Sequence, residues 1–470
     1  MSGTGASNNR RSAATDRSPP AREIRALFML GAPMATTQLC IMAMGFIDTA
    51  MAGRYDSTHL AGVALGGALL WPVFMLTSGF TMAVTPIVAQ LRGAGRTTET
   101  GERIRQGLWL SLAAAVFCIV VLSNAGYLFA LIGVDPVTAE IAEGYLDAIA
   151  WGLPAVQVYV VLRYACEGLG KALPPMVIAV LALPVNAAFN YVLIYGHFGA
   201  PELGGVGCGW ATTAVWWVEL VLMITVVRMR FFRAARVTAR FDPPRWNELK
   251  RILRIGVPIG LTVFLEVAVF SAIGLSVASL GVVPLAANSI AGNVNWATYV
   301  IPMSLGSAAS IRVGYYVGAS ENDRAAYVAR VAFFLSLGYA VVVSLLLVLG
   351  RYQIAGLYTT DPAVLELAAS LMLVIAFYQI FDDSQATLGG ALRGYKDTRA
   401  PMIYTLVGYW LLALPLGAAL CFGWFGTEPL GARGYWIGMT AGLGIVALCI
   451  GVRLLSTSRN PERIRQLAAI

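Results

Sequence analysis

Twelve apolar runs, each long enough to cross a bilayer, take up most of the chain. They fall at about 26–50, 59–90, 105–130, 138–163, 174–196, 205–227, 252–279, 283–311, 328–350, 363–391, 401–424 and 434–455. A helical span needs roughly 20 such residues. Open strands would leave backbone groups unpaired in lipid, and these runs are too long and continuous for barrel strands. The pattern predicts an all-α polytopic membrane protein. Only 12% of the residues are Asp, Glu, Lys or Arg, against about 25% in soluble domains. So few charges cannot cover a water-facing surface, which excludes a disordered chain and an ordinary soluble enzyme.

The basic residues orient the chain. Apart from Arg54, Arg351 and Arg433, all of the 33 Lys and Arg fall in the tails and in alternate loops on one side. Cytoplasmic loops carry that excess. Both termini and the central linker are therefore expected in the cytoplasm. The net charge of +8 reflects topology, and no nucleic-acid partner is expected. Residues 1–25 read as a disordered cytoplasmic tail, 230–250 as a basic cytoplasmic linker and 456–470 as a cytoplasmic C-tail. The six cysteines lack a CxxC pair and read as buried thiols. The two histidines, His59 and His197, fall in loops and argue against a His-based metal site.

The chain repeats itself at an offset of about 225–227 residues. Gly31-Ala32-Pro33 pairs with Gly256-Val257-Pro258, and Gly93-Ala94 with Gly318-Ala319. Asp135-Pro136 pairs with Asp361-Pro362, Pro175-Met176 with Pro401-Met402, and Gly204 and Gly207 with Gly431 and Gly434. Six helices per repeat, an even number, give both repeats the same membrane orientation. The expectation is two pseudo-twofold-related six-helix bundles, an N-lobe at 26–229 and a C-lobe at 251–455, around a central cleft. Such lobes can rock between inward-open and outward-open states.

Ionisable groups at membrane depth cost at least ~2.5–3.5 kcal/mol each and persist where they line a cavity or pair. Five acids stand out: Asp48, Glu219, Glu266, Asp382 and Asp383. No Lys or Arg is expected at comparable depth, which points to handling of a proton, a sodium ion or a cationic substrate. Asp48 is a cation-site candidate or an interfacial residue. Asn186 and Asn190, four apart, share a helix face and serve a polar site or an interhelical bond. Pro33 and Pro184 interrupt helices and free carbonyl groups. Glu266 and Asp382, with Tyr378 one turn before Asp382, can hold a desolvated sodium ion or share a proton. Asp383 points about 100° away on the helix. Glu219 is a structural carboxyl or a functional one. There is no GxxxxGK[ST] phosphate loop; Gly168-x-Gly170-Lys171-Ala172 lacks the spacing and the hydroxyl. No nucleotide and no cofactor are expected, and no activated nucleophile or metal-ligand spacing marks an enzyme.

These residues resemble the multidrug and toxic compound extrusion (MATE) family, in its bacterial NorM-type branch. The resemblance rests on Phe46-Ile47-Asp48-Thr49-Ala50-Met51-Ala52-Gly53, on Asn190-Tyr191 followed by Gly199-Ala200-Pro201-Glu202-Leu203-Gly204-Gly205-Val206-Gly207, and on Asp382-x-x-Gln385-x-x-x-Gly389-x-x-x-Arg393-Gly394-Tyr395-Lys396-Asp397-Thr398. It implies an ion-coupled antiporter exporting organic cations, with sodium or protons as transported ions. It implies an N-lobe site at Asp48, Asn186 and Asn190, and a C-lobe cation site at Glu266, Asp382 and Tyr378. Asp382 keeps the spacing to Gln385; Asp383 and Glu219 depart from the pattern and leave open a more acidic cavity. A monomer is expected. The competing reading is a lipid-linked oligosaccharide flippase, which needs Arg or Lys within the helices to hold pyrophosphate.

Overall fold

The computed structural model describes residues 20–469 apart from 425 and 427; most of the expected N-tail, 1–19, lies outside them. Among the described residues there is no strand. The first half comprises α1 (Pro20–Tyr55), α2 (Ser57–Met82) with α3 (Val84–Gly93), and α4 (Thr100–Leu122) with α5 (Ala125–Leu131). It continues with α6 (Pro136–Ala150), α7 (Leu153–Gly168), α8 (Leu173–Tyr195) and α9 (Gly205–Val227). The short α10 (Arg230–Arg233) lies in the linker. The second half comprises α11 (Trp246–Ala278), α12 (Val282–Gly318), α13 (Asn322–Gly356) and α14 (Pro362–Gly394). In α15 (Arg399–Thr405) and α16 (Leu414–Phe422) one span passes through a π-helical stretch, Leu406–Ala413. The chain closes with α17 (Ala432–Ser458) and α18 (Pro461–Ala468).

Among the described residues ten helices are long and apolar enough to cross a membrane, or eleven where α6 and α7, bent by 52°, form one span. Length and composition therefore do not reach the expected twelve. The shortfall is α12, which has 37 residues but carries Asn288, Asn293, Asn295 and four serines. Many helices also overrun their apolar runs. Residues 20–25, expected in the tail, form the first turns of α1, and the C-tail contains the end of α17 and all of α18.

The repeat is visible in the backbone itself. Asp135 and Asp361 each precede a proline and cap their helices, accepting from Thr138 N at 3.1 Å and from Ala363 N at 2.9 Å. Gly204 and Gly431 precede α9 and α17 with matching positive φ of 54° and 57°, a conformation that favours glycine.

Two large apolar cores follow the two halves. One gathers residues between Ala52 and Val237. The other gathers residues from Val269 onward, together with Leu27, Leu30 and Met34 of α1 and Ala89 and Ala172. A small third cluster joins Ala83 and Ile87 to Ile252, Ile255 and Ile259 across the halves. The halves also meet through backbone at glycines. A Cβ on Gly93 would run into the carbonyl of Tyr315, and one on Gly318 into the carbonyl of Gln90. These contacts are reciprocal, since 93 and 318, like 90 and 315, are one repeat apart. Gly256 packs on Phe80 and Gly31 on Leu305, which are again repeat-related pairs. Gln90 Nε2 donates to the Gly394 carbonyl at 2.9 Å, and Arg312 with Tyr316 binds Glu23 of α1. These contacts all lie in the half of the molecule that holds the described chain ends and the linker.

The linker is strapped to α4. Arg105 donates to Asp242 at 2.7 Å and to the Arg236 carbonyl at 2.7 Å, and Trp109 donates to the Asp242 carbonyl at 2.9 Å. Arg103 pairs with Glu248 at the start of α11. Burial pushes the Asp242 carboxyl up, but bonds and charge from Arg105 and Arg240 outweigh it, so it stays below its ordinary value.

Two predictions follow from these contacts. Gly93→Val and Gly318→Val should each destabilise the protein by about 1–3 kcal/mol through overpacking, read as thermal unfolding in detergent. Gly45→Val and Gly274→Val, which meet nothing within 4 Å, should leave the midpoint unchanged. For the linker, a lowered folded-state value means the Asp242 contribution is complete above the unfolded carboxyl value, about 3.9. It is lost as pH falls through the lower folded value. Hydrogen exchange of the amides at 236–245 should therefore gain excess opening only below about pH 4, and Asp242→Asn should show that opening at neutral pH.

Candidate ion and substrate sites

The N-lobe site is built by three helices. Asp48, on α1, accepts at Oδ1 from Asn190 Nδ2 at 2.6 Å and from Asn186 Nδ2 at 3.0 Å, both on α8. Its Oδ2 accepts from Thr212 of α9 at 3.2 Å. The four-residue spacing of the asparagines puts both amides on one face toward α1. Both are buried, and both side-chain carbonyl oxygens lack a hydrogen-bond partner. Among the described residues Asp48 thus has three neutral donors and no counter-charge, with two orphan oxygens on the same amides. The helix runs on through Pro33, where the Thr36 and Thr37 hydroxyls donate to the carbonyls of Ala32 and Pro33.

The C-lobe site lies where α11, α12 and α14 face one another. Glu266 of α11 accepts from Gln385 Nε2 at 2.9 Å. Asp382 is buried beside Tyr378, one turn earlier on α14, and Asn295 of α12, within electrostatic reach of Glu266. Tyr299 and Tyr409 border the same group; Tyr409 comes from the π-helical stretch. The side-chain oxygens of Asn295, Tyr378 and Gln385 are buried without hydrogen-bond partners. Trp436 of α17 packs edge-on against Tyr378 at 5.6 Å, and on its outer side a cavity of about 250 Å³ is lined by Phe270, Asn288, Asn293 and Met439.

The structure brings Glu266, Asp382 and Tyr378 together and turns Asp383 away. Asp383 accepts from Gln379 on its own helix at 2.6 Å, and its backbone carbonyl accepts from Ser336 of α13. Thr212 and Asn295 were missed in the sequence, because a neutral Thr or Asn in a helix costs far less than an acid and does not stand out. The expectation of no base at depth is corrected. Arg163, counted as a loop residue, lies in α7, 7% exposed, and donates to Glu167 at 2.9 Å. Arg393, also counted outside, reaches electrostatically to Glu266 and Tyr299 from the last turn of α14. Long stems let both guanidiniums enter from helix ends. The bend before α7 helps: a Cβ at Gly152 would lie 2.6 Å from the Trp216 ring, so the turn fits closely against α9.

Among the described residues, no group of three or more His, Cys, Asp or Glu could hold a metal ion. The donor set fits a monovalent ion held by carboxylate, phenol and amide oxygens. Asn190→Ala should strip Asp48 of a donor and cost about 1–3 kcal/mol, read as a lower unfolding midpoint in detergent.

The family model MatE matches residues 33–192 and 258–419, more than half of the chain, in two segments at the spacing of the internal repeat. The chain is 42% identical over 443 residues to "Multidrug resistance protein MdtK" of Edwardsiella ictaluri, covering 94% of this chain and 97% of that one. Its fold is similar to the crystal structure of the eukaryotic MATE transporter AtDTX14, with a TM-score of 0.86 at 21% identity, covering 96% and 99% of the two chains. It is also similar to the bent form of the Vibrio cholerae MATE transporter VcmN, with a TM-score of 0.82 at 17% identity and 94% and 98% coverage. With its helical membrane fold, internal repeat and two matched segments, the chain belongs to the MatE family of transporters, and is not an enzyme.

Proposed function

We propose that this transporter is a multidrug efflux antiporter of a bacterial inner membrane, exporting organic cations in exchange for sodium ions, protons or both by alternating access. The observation that carries this reading is the set of orphan buried oxygens around the acids. Buried polar atoms are normally paired. Unpaired oxygens of Asn186 and Asn190 lie beside Asp48 in one half, and those of Asn295, Tyr378 and Gln385 lie beside Glu266 and Asp382 in the other. A bound cation would satisfy them. On this reading Glu266, Asp382 and Tyr378 take the coupling cation, with sodium preferred because both acids and the phenol converge. Asp383 is a supporting carboxyl held by Gln379. Asp48, Asn186 and Asn190 form the proton or substrate site of the N-lobe. The relative from Edwardsiella, named a multidrug resistance protein, supports the multidrug part of this reading.

The basic-residue count puts the described chain ends in the cytoplasm, where the halves touch. On this reading, halves that touch at the cytoplasmic end leave the expected cleft to open outward, toward release of substrate and loading of ion. Aromatic and methionine side chains such as Phe270, Trp436 and Met439 suit flat organic cations. The flippase reading gains nothing from Arg163, whose guanidinium is taken by Glu167.

The test is ethidium efflux from proteoliposomes under separately imposed sodium and proton gradients. Glu266→Gln and Asp382→Asn should lose sodium-driven efflux to the level of empty liposomes while remaining folded. Asp48→Asn should lose the proton-driven part. Sodium drive that survives in both C-lobe variants would overturn the C-lobe assignment.

A further inference from the structure

Neither site uses Glu219. It sits on α9, 4% exposed, seven residues after Thr212. It therefore shares the face that reaches Asp48, about 10 Å nearer the linker end of the helix. Its charged neighbour is Arg163 of α7. That guanidinium is already committed: Nε donates to Glu167 Oε1 at 2.9 Å, and Nη2 reaches Gln38 at 3.5 Å. Tyr159, one turn before Arg163, also neighbours Glu219; it is 3% exposed and its hydroxyl lacks a hydrogen-bond partner. Among the described residues, no hydrogen bond reaches the Glu219 carboxyl from another side chain.

Glu219 thus lies within electrostatic reach of a guanidinium already bonded to another carboxylate, Glu167. With all three ionised, the cluster would bury one uncompensated negative charge, which is strongly unfavourable. The elements packed on α9 supply little else. From α7 come Tyr159 and Arg163, with Glu167 behind. From α1 and α6 come Asp48 and Tyr145, two turns further outward. Helix α8 carries no charged residue, and α2 carries only His59, at the Gly205 end of α9. The arginines of α10 lie beyond the last turn of α9. A proton is the smallest partner that balances the cluster, and the unpartnered Tyr159 hydroxyl is the adjacent group able to pass or receive a hydrogen bond.

Resting on the antiporter reading above, we propose that Glu219 is a second proton-exchanging site of the N-lobe: it binds a proton in this conformation and releases it during the transport cycle. The step is an acid–base exchange at the Glu219 carboxyl, with the proton taken from and returned to water.

The experiment measures ethidium efflux and luminal pH together in proteoliposomes of the full chain, across pH, for wild type, Glu219→Gln and Glu219→Asp. Wild type should show a pH-dependent limb. Glu219→Gln should keep sodium-driven efflux and count about one proton fewer per ethidium, with a shallower limb. Glu219→Asp should keep the proton count and displace the limb. An unchanged proton count and limb in both variants overturns the proposal. If Glu219→Gln fails to fold, the Asp variant decides: a displaced limb supports the exchange, and an unmoved limb overturns it. A wild type driven by neither gradient sinks the antiporter reading itself, a result separate from any difference among the variants.

Discussion

A carboxylate moved from water into a helical bundle must find donors, a counter-charge or a proton. The chain answers this demand differently at each buried acid. Asp48 is met by three neutral donors from two helices. Glu167 is met by Arg163 on its own helix, one turn away. Glu266 and Asp382 face each other with a single amide donated to Glu266 and several oxygens left over. The pairs and caps that close on themselves read as structure. Those that leave acceptors unsatisfied read as places for a mobile cation.

That difference explains why the two halves are alike in backbone and unlike in chemistry. The repeat reproduces the Asp–Pro helix starts, the Gly204 and Gly431 turns and the reciprocal glycine contacts. It does not reproduce the acids. The residue one repeat after Asp48 is Ile273, and the residue one repeat before Glu266 is Ile41. Backbone geometry sets how the halves meet, and that requirement applies equally to both. Charge placement sets what each half binds, and each half can differ there without disturbing the seam.

The helical membrane fold was legible because bilayer thickness imposes run lengths that sequence shows directly. The repeat was legible because proline and glycine mark backbone positions. Asp48, Glu266 and Asp382 were legible because an acid in an apolar run is costly. What escaped reading depends on three-dimensional neighbours. Arg163 and Arg393 look like loop residues, since each lies near the end of an apolar run, yet their helices continue and the guanidiniums turn inward. The break between α6 and α7 depends on Gly152 meeting Thr213 and Trp216. Helix α12, expected at 283–311 and present as a helix, falls short of an apolar span because its asparagines lower its hydropathy, and one of them, Asn295, serves the acid pair.

Helix α1 belongs to both halves. Its outer part carries Asp48 into the N-lobe site, while Leu27, Leu30 and Met34 pack in the core of the second half. At its start, Glu23 is 1% exposed and held by Arg312 at 2.7 Å and Tyr316 at 2.7 Å, both on α12. The rest of the seam is backbone against glycine and one small apolar cluster, Ala83 and Ile87 against Ile252, Ile255 and Ile259. Opening the seam would therefore cost most at the Glu23 pair and the α1 anchor. On the alternating-access reading, the helix whose outer part senses a cation at Asp48 is also the helix whose inner end must be released for the halves to separate.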